Sequence, residues 1–291
     1  MTGKIVCIDL GGTKALCGLA FQGTVENVKR YPVPSCATKS EMNRYIIDLI
    51  DRIISDECVG IAIGIPGVVD SDSGYVFEVT NIPNWRNINL AGILRARFQV
   101  PVMIHNDVNC FVYGEYKFGA HFDKGLPCQT ILGVCLGTGL GAGVVISGKL
   151  HEGRNGLAGE FGSAPYLKKT LEDYCSGQFF RNLGTDGAKE YELALIGNQN
   201  ALNLFEQLGN HLGVAIAHMQ LAYDPDLIVL GGSVSNAFHL FGSAMHARFA
   251  QIEQCEELKI CISSLPHAAL VGACELFYQK YASELESVQP A

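Results

Sequence analysis

Lys4-Ile5-Val6-Cys7-Ile8-Asp9-Leu10-Gly11-Gly12-Thr13-Lys14-Ala15-Leu16-Cys17-Gly18-Leu19-Ala20-Phe21 holds two apolar runs, 4–10 and 15–21, joined by a Gly-Gly turn. Runs of this length bounded by glycine read as the two strands of a hairpin. The pattern returns later in the chain. Residues 129–136 form another apolar run, Leu136-Gly137-Thr138-Gly139-Leu140-Gly141-Ala142-Gly143 turns it, and 143–146 comes back. After the first hairpin, 41–55 carries apolar residues at helical spacing (Met42, Tyr45, Ile46, Leu49, Ile50, Ile53, Ile54). Val59 to Ile65 is a strand ended by Pro66-Gly67, 89–98 a helix, 100–104 a strand, and 109–116 a helix. After the second hairpin, 201–222 is a long helix stopped by Asp224-Pro225, 227–230 a strand ended by Gly231-Gly232-Ser233 and followed by a helix, and 271–282 a terminal helix.

Hairpin, helix, strand, loop and helix, repeated once, imply an α/β chain of two similar lobes with a cleft between them, which the glycine loops would face. The expected division is an N-terminal α/β lobe, 1–115, and a C-terminal α/β lobe, 116–270. The pattern breaks at Phe118-Gly119-Ala120 and Lys124-Gly125, and a last helix at about 271–285 can pack back on the first lobe.

A length of 291 residues suits two domains. With 48% hydrophobic and 17% charged residues, the composition is that of a core-rich folded chain. The net charge is −8, with no Lys/Arg run, which excludes a basic nucleic-acid patch. No apolar run approaches the roughly 20 residues of a membrane span, and residues 1–10 read as a strand rather than a leader. The eleven cysteines are odd in number and show no CxxC spacing. Cys7, Cys17, Cys135 and Cys261 stand in apolar runs as small hydrophobes. The expectation is a reduced, cytoplasmic protein.

Chemistry concentrates at loops. In Asp9-Leu10-Gly11-Gly12-Thr13-Lys14, the two glycines let backbone N–H groups approach a phosphate, and Thr13 adds a hydroxyl. Asp9 has no use for an anion there; its carboxylate suits Mg²⁺, held through water. Gly137, Thr138 and Gly139 follow a strand in the same way, with Thr138 able to donate to a terminal phosphate, although the GK[ST] ending of a P-loop is absent. Gly231-Gly232-Ser233, between strand and helix, has a geometry common at nucleotide sites. Asn106-Asp107, just past the strand 100–104, puts a carboxylate at the mouth of an α/β sheet. Glu160, in Gly159-Glu160-Phe161-Gly162, and Glu172, in Leu171-Glu172-Asp173, are acids among small residues. Carboxylates of this kind accept hydrogen bonds from sugar hydroxyls; the plain alternative is a surface charge, with Glu172 paired to Lys168 at helical spacing.

Taken in order, Asp9-x-Gly11-Gly12-Thr13, Gly64-x-Pro66-Gly67, Asn81-Ile82-Pro83-Asn84-Trp85, Asn106-Asp107-x-Asn109, Leu136-Gly137-Thr138-Gly139-x-Gly141, Asn155-Gly156-x-Ala158-Gly159-Glu160 and Asp224-Pro225-x-x-Ile228-x-x-Gly231-Gly232 resemble the ROK family (repressors, open reading frames, kinases) over nearly the whole chain. The resemblance implies the two-lobed actin-like, ribonuclease-H-like ATPase fold and ATP-dependent phosphorylation of a sugar. By match, Asp107 is the base that takes the proton of the sugar 6-hydroxyl. Asn106 holds neighbouring ring hydroxyls, Glu160 and Glu172 contact the sugar, and Gly64 and Asn81 line its pocket. Asp9, Gly11, Gly12, Thr13, Lys14, Gly137, Thr138 and Gly139 then surround the phosphates and Mg²⁺, with Gly231, Gly232 and Ser233 by the adenosine. A homodimer is implied by the resemblance alone.

One departure stands out. Many members continue GEFG with His and a CxCGxxGC cluster that binds zinc. Here Ser163 follows Gly162, and 163–177 holds only Cys175. Zinc needs about four N or S ligands, so no zinc site is expected. The expected activity is transfer of the ATP γ-phosphoryl group to the 6-hydroxyl of a hexose, N-acetylglucosamine first, with glucokinase or N-acetylmannosamine kinase as alternatives. Fructose and allose stay open, as does a non-catalytic sugar sensor or regulator. A regulator needs a DNA-binding domain ahead of the first glycine loop, and Asp9 stands only nine residues in.

Overall fold

The computed structural model describes residues 3–119, 128–251 and 258–286. The chain divides into two units, residues 1–125 with 265–291, and residues 126–264.

In the first unit, β1 (Lys4–Leu10), β2 (Lys14–Phe21), β3 (Thr24–Pro32), β4 (Cys58–Ile65) and β8 (Val102–Asn106) form one sheet in the order β3-β2-β1-β4-β8. The hairpin strand β2 is antiparallel to β1 and β3, while β4 and β8 run parallel to β1. The sequence reading missed β3, whose burial pattern is mostly exposed and which therefore lacks an apolar run. It also missed a second antiparallel sheet, β5 (Gly67–Asp70), β6 (Tyr75–Val79) and β7 (Ile88–Asn89). Three helices belong here: α1 (Lys39–Asp51), α2 (Leu90–Phe98) and α3 (Asp107–Phe118). Thr38 and Glu41 cap α1 reciprocally. Trp85, fully buried, donates its indole N–H to Asn43 of α1 at 2.8 Å, which ties the Asn81–Trp85 segment to the core.

The C-terminal helix, Ala268–Glu286, returns to this unit and packs on α3 and on the back of the sheet. Glycines permit the close approach. A Cβ on Gly272 would lie 1.8 Å from the carbonyl oxygen of Cys110, and one on Gly114 would lie 2.2 Å from that of Ala268. Leu270, Val271, Ala273 and Phe277 of this helix are almost fully buried.

In the second unit, β9 (Thr130–Leu136), β10 (Leu140–Ile146), β11 (Lys149–Leu150), β14 (Leu227–Gly231) and β15 (Ile260–Ile262) repeat the arrangement in the order β11-β10-β9-β14-β15. The hairpin strand is again antiparallel and the later strands parallel. Read in chain order, both sheets run third, second, first, fourth, fifth. A short hairpin, β12 (Pro165–Tyr166) and β13 (Lys169–Thr170), precedes α4 (Leu171–Cys175), α5 (Gly177–Asn182), α6 (Gly187–Leu195), α7 (Gln199–Tyr223) and α8 (Phe238–Phe249); the C-terminal helix is α9. Leu132, Val134, Phe205, Leu212, Ile216 and Phe241 make the core between sheet and helices. Cys7 and Cys17 are fully buried as small hydrophobes, whereas Cys135 and Cys261 are only half-buried. Among the described residues, no helix is long and apolar enough to cross a membrane.

Candidate active site

Because β1, β4 and β8 are parallel, their carboxyl ends share one edge of the first sheet, the edge where α/β folds bind ligands. Register aligns Asp9 with Gly64 and Gly64 with His105, so Asn106 and Asp107 emerge one and two residues beyond that row. The sequence reading started the following helix at Asn109; it starts at Asp107. The reason is Asn106, an N-cap whose side-chain oxygen accepts from the backbone N–H of Val108 (2.9 Å) and Asn109 (3.0 Å). Its amide nitrogen donates to the Gly67 carbonyl at 3.2 Å, joining the helix start to the small sheet. Asp107 is the first helical residue, where the helix dipole favours negative charge. Its Oδ1 accepts from Val108 N–H at 2.9 Å, which fixes the carboxylate's direction. A Cβ on Gly64 would sit 3.2 Å from the Asp107 Cα, so a glycine here admits the helix start against β4.

The first glycine loop adjoins this edge. Gly11 N–H donates to the Lys14 carbonyl at 2.9 Å, closing the turn between β1 and β2. Thr13 and Lys14 are exposed at its tip. Gly12 lies against Asn81: a Cβ there would be 3.1 Å from the Asn81 amide nitrogen. Asn81 has φ +66°, a left-handed conformation that asparagine tolerates. The structure therefore brings Asp9, Gly11, Gly12, Gly64, Asn81, Asn106 and Asp107 to one edge of the first unit. Burial pushes the Asp9 carboxyl up to about 6. A carboxyl short of solvent gains most from a neighbouring cation, so the donor fits Mg²⁺, an ion that takes oxygen ligands and keeps several waters.

In the second unit, Gly137 N–H donates to the Gly139 carbonyl at 3.0 Å in the turn between β9 and β10. Glu172, at the start of α4, does not pair with Lys168. Its Oε2 accepts the Leu140 backbone N–H at 3.0 Å, and the ion pair on this helix is Lys169 with Asp173 at 3.3 Å. Glu160 reaches solvent, yet its carboxyl is pushed up, first by crowding of its surroundings and then by the charge of Glu172. The two acids therefore stand close enough to repel. Gly232 (φ +86°) follows β14, and a Cβ there would lie 2.4 Å from the Leu136 carbonyl oxygen. Gly231-Gly232-Ser233 thus abuts the second glycine loop, and the buried Ser235 hydroxyl holds its turn by donating to the Gly232 carbonyl at 2.7 Å.

A side-chain brace stands beside the β12–β13 hairpin. Tyr166 of β12 packs edge-on against Tyr174 and His211, its hydroxyl 3.1 Å from His211 Nδ1. Burial lowers the His211 pKa. Among the described residues, no group of three or more His, Cys, Asp or Glu could hold a metal.

Similarity to known proteins fits this geometry. The ROK family profile matches residues 5–280. The chain belongs to the ROK family. It is 33% identical over 271 residues to an N-acetyl-D-glucosamine kinase of Haemophilus influenzae, covering 80% of this chain and 85% of that one. It is 29% identical over 273 residues to a glucokinase of Halalkalibacterium halodurans, with 80% and 81% covered. A ROK family glucokinase from Streptomyces griseus, crystallised with glucose and AMPPNP, superposes with a TM-score of 0.82 at 25% identity, covering 95% of this chain and 100% of that one. The fold of this ROK chain is the mixed α/β, actin-like and ribonuclease-H-like ATPase fold, with the repeated strand order described above as its signature.

Two groups near the loops escaped the sequence reading. The Gly67 carbonyl, which receives Asn106, was visible only as part of Gly64-x-Pro66-Gly67. Ser176-Gly177 was visible only as a serine before glycine, which carries no chemistry until its neighbours are known.

Proposed function

We propose that this ROK chain is an ATP-dependent sugar kinase that transfers the γ-phosphoryl group to the 6-hydroxyl of a hexose, with N-acetylglucosamine as the first candidate. Glucose and N-acetylmannosamine are the alternatives. The observation that carries the reading is Asp107, a carboxylate oriented by Val108 N–H at the carboxyl edge of parallel strands and beside Asn106. The substrate ranking draws support from similarity to N-acetyl-D-glucosamine kinases, with glucokinases close behind.

A sugar hydroxyl is a poor nucleophile at neutral pH. Asp107 accepts its proton as the bond to phosphorus forms, an assistance of about 10²–10⁴-fold. Asn106, locked by its cap bonds and by Gly67, offers neighbouring hydroxyls a fixed partner, and Gly64 and Asn81 line the same pocket. Glu160 and Glu172 accept from hydroxyls of the ring. Thr13 and Thr138, with the N–H groups of Gly12 and Gly139, hold phosphate oxygens, while Gly11 and Gly137 close the two turns with their own N–H groups, and Lys14 is a nearby cation. Gly231, Gly232 and Ser233 receive the nucleoside end. Mg²⁺, when bound through water at Asp9, supplies neutralisation of the transferring phosphoryl charge.

The test is nucleotide turnover over a panel of hexoses and N-acetylhexosamines. N-acetylglucosamine should give the highest kcat/KM. Asp107→Asn should keep sugar binding while kcat falls by about 10²–10⁴-fold. Near-native turnover in that variant would remove Asp107 from the mechanism.

A further inference from the structure

The second glycine loop is held from outside by one turn of chain. Ser176 is fully buried at the junction of α4 and α5, and its hydroxyl lies 3.2 Å from the Thr138 carbonyl and 2.7 Å from the Glu172 carbonyl. The same oxygen accepts Gln178 N–H at 3.1 Å. Gly177 N–H donates to the Gly137 carbonyl at 2.8 Å, and Glu172 accepts Leu140 N–H at 3.0 Å. The hydroxyl has one proton for those two carbonyls, so Gly137 and Leu140 are gripped by full bonds and Thr138 by a shared, longer one. The fit is tight. A Cβ on Gly139 would lie 2.2 Å from Glu172 Oε2, and one on Gly177 would lie 2.9 Å from the Gly137 carbonyl oxygen. The loop's own bond, Gly137 N–H to Gly139, leaves the outward carbonyls of Gly137 and Thr138 to this partner.

We propose that the Glu172–Gly177 turn is a clamp that sets the shape of the second glycine loop for phosphoryl transfer, and that Ser176 is its positioning residue. This rests on reading residues 136–141 as a phosphate-holding loop. A loop closed by glycines can adopt many shapes, and the donors it offers are useful only when aimed in advance. Ser176 touches no substrate. It fixes the peptide that carries the Thr138 hydroxyl, while its partner Glu172 fixes the next one.

Ser176→Ala removes the hydroxyl that the Thr138 and Glu172 carbonyls share. The expected result is a roughly tenfold loss of kcat/KM for the nucleotide, the scale of one hydrogen bond. The sugar dissociation constant, measured by calorimetry without nucleotide, should stay unchanged. Gly177→Ala pushes on the Gly137 carbonyl without deleting a polar group and should share the phenotype. In the unmodified protein, the Leu140 and Gly177 amides should resist hydrogen exchange without ligand. Nucleotide parameters unaltered in both variants would overturn the clamp. So would sugar affinity falling in step with them, or fast exchange at both amides. If the unmodified protein turns over no sugar at all, the kinase reading fails instead, and the exchange result still reports on the clamp.

Discussion

Glu160 and Glu172 stand close enough for the charge of one to act on the carboxyl of the other. Glu160 sits above the ordinary 4.5 of a glutamate because its surroundings withhold solvent and Glu172 adds like charge. A carboxyl raised by folding binds its proton more tightly in the native state, so its charged form opposes folding. That opposition is absent below the unfolded value, grows as pH rises through the folded value, and is constant above it. Glu160→Gln should therefore leave the melting temperature unchanged at about pH 4 and raise it at about pH 7 in sugar-free buffer. A gain of equal size at both pH values would show that neither crowding nor like charge acts on the Glu160 carboxyl. Asp107 was legible as a mouth-of-sheet position after an apolar strand, whereas the cap role of Asn106 was not, and the helix was expected only from Asn109. The partner of Glu172 was not legible either, because its bond to Leu140 spans 32 residues of sequence, and local spacing suggested Lys168 instead.

At the scale of elements, α3 is the part on which Asp107 depends, and α9 is what holds it. The two helices cross where Gly114 and Gly272 replace side chains with backbone contact. Gly272→Ala puts a methyl group where the Cys110 carbonyl already is, so the helices must separate. A cost of about 1–3 kcal/mol is expected for such overpacking, read as a melting temperature lower by several degrees. A drop in kcat should accompany it as the start of α3 moves. The β12–β13 hairpin has a different support. Tyr166 packs edge-on against Tyr174 and His211, which themselves meet at a tilt. Tyr166→Ala should lower the melting temperature by removing a half-buried aromatic and its hydroxyl partner. A zinc-selective chelator should leave the melting temperature of the unmodified protein where it is. A chelator-induced fall would mean that metal, not this brace, holds the hairpin. Both apolar hairpins and the long α7 were plain in the sequence because burial imposes a pattern on them. β3 was not, since it is mostly exposed and lacks an apolar run, and the β5–β7 sheet was not, since strands of 4, 5 and 2 residues are too short to show a period.

For the whole molecule, two units with the same strand order come from one chain, but they are not equally continuous. The second is a single stretch, whereas the first is completed by residues from the far end. A helical period at 271–282 told of a helix and left the first lobe as one possible partner, because packing between distant segments leaves no local mark. The consequence can be estimated. Leu270, Val271, Leu276 and Phe277 of α9 are buried in the first unit. Burying each such side chain contributes about 1.5–3 kcal/mol, so removing the helix withdraws an amount of the order of the 5–15 kcal/mol that typically separates folded from unfolded domains. Their loss also bares Gly60, which in the intact chain faces the ring of Phe277. A chain ended after residue 264 should therefore lose the first unit while the second, whose core of Leu132, Phe205, Ile216 and Phe241 is untouched, keeps cooperative melting. Amide exchange resolved by peptide would read this directly, with protection lost across β1, β4 and α3 and kept across β9, β14 and α7. Protection surviving in β1 and α3 would mean that the first unit stands without α9, and that the tight crossing at Gly272 contributes far less than its burial implies.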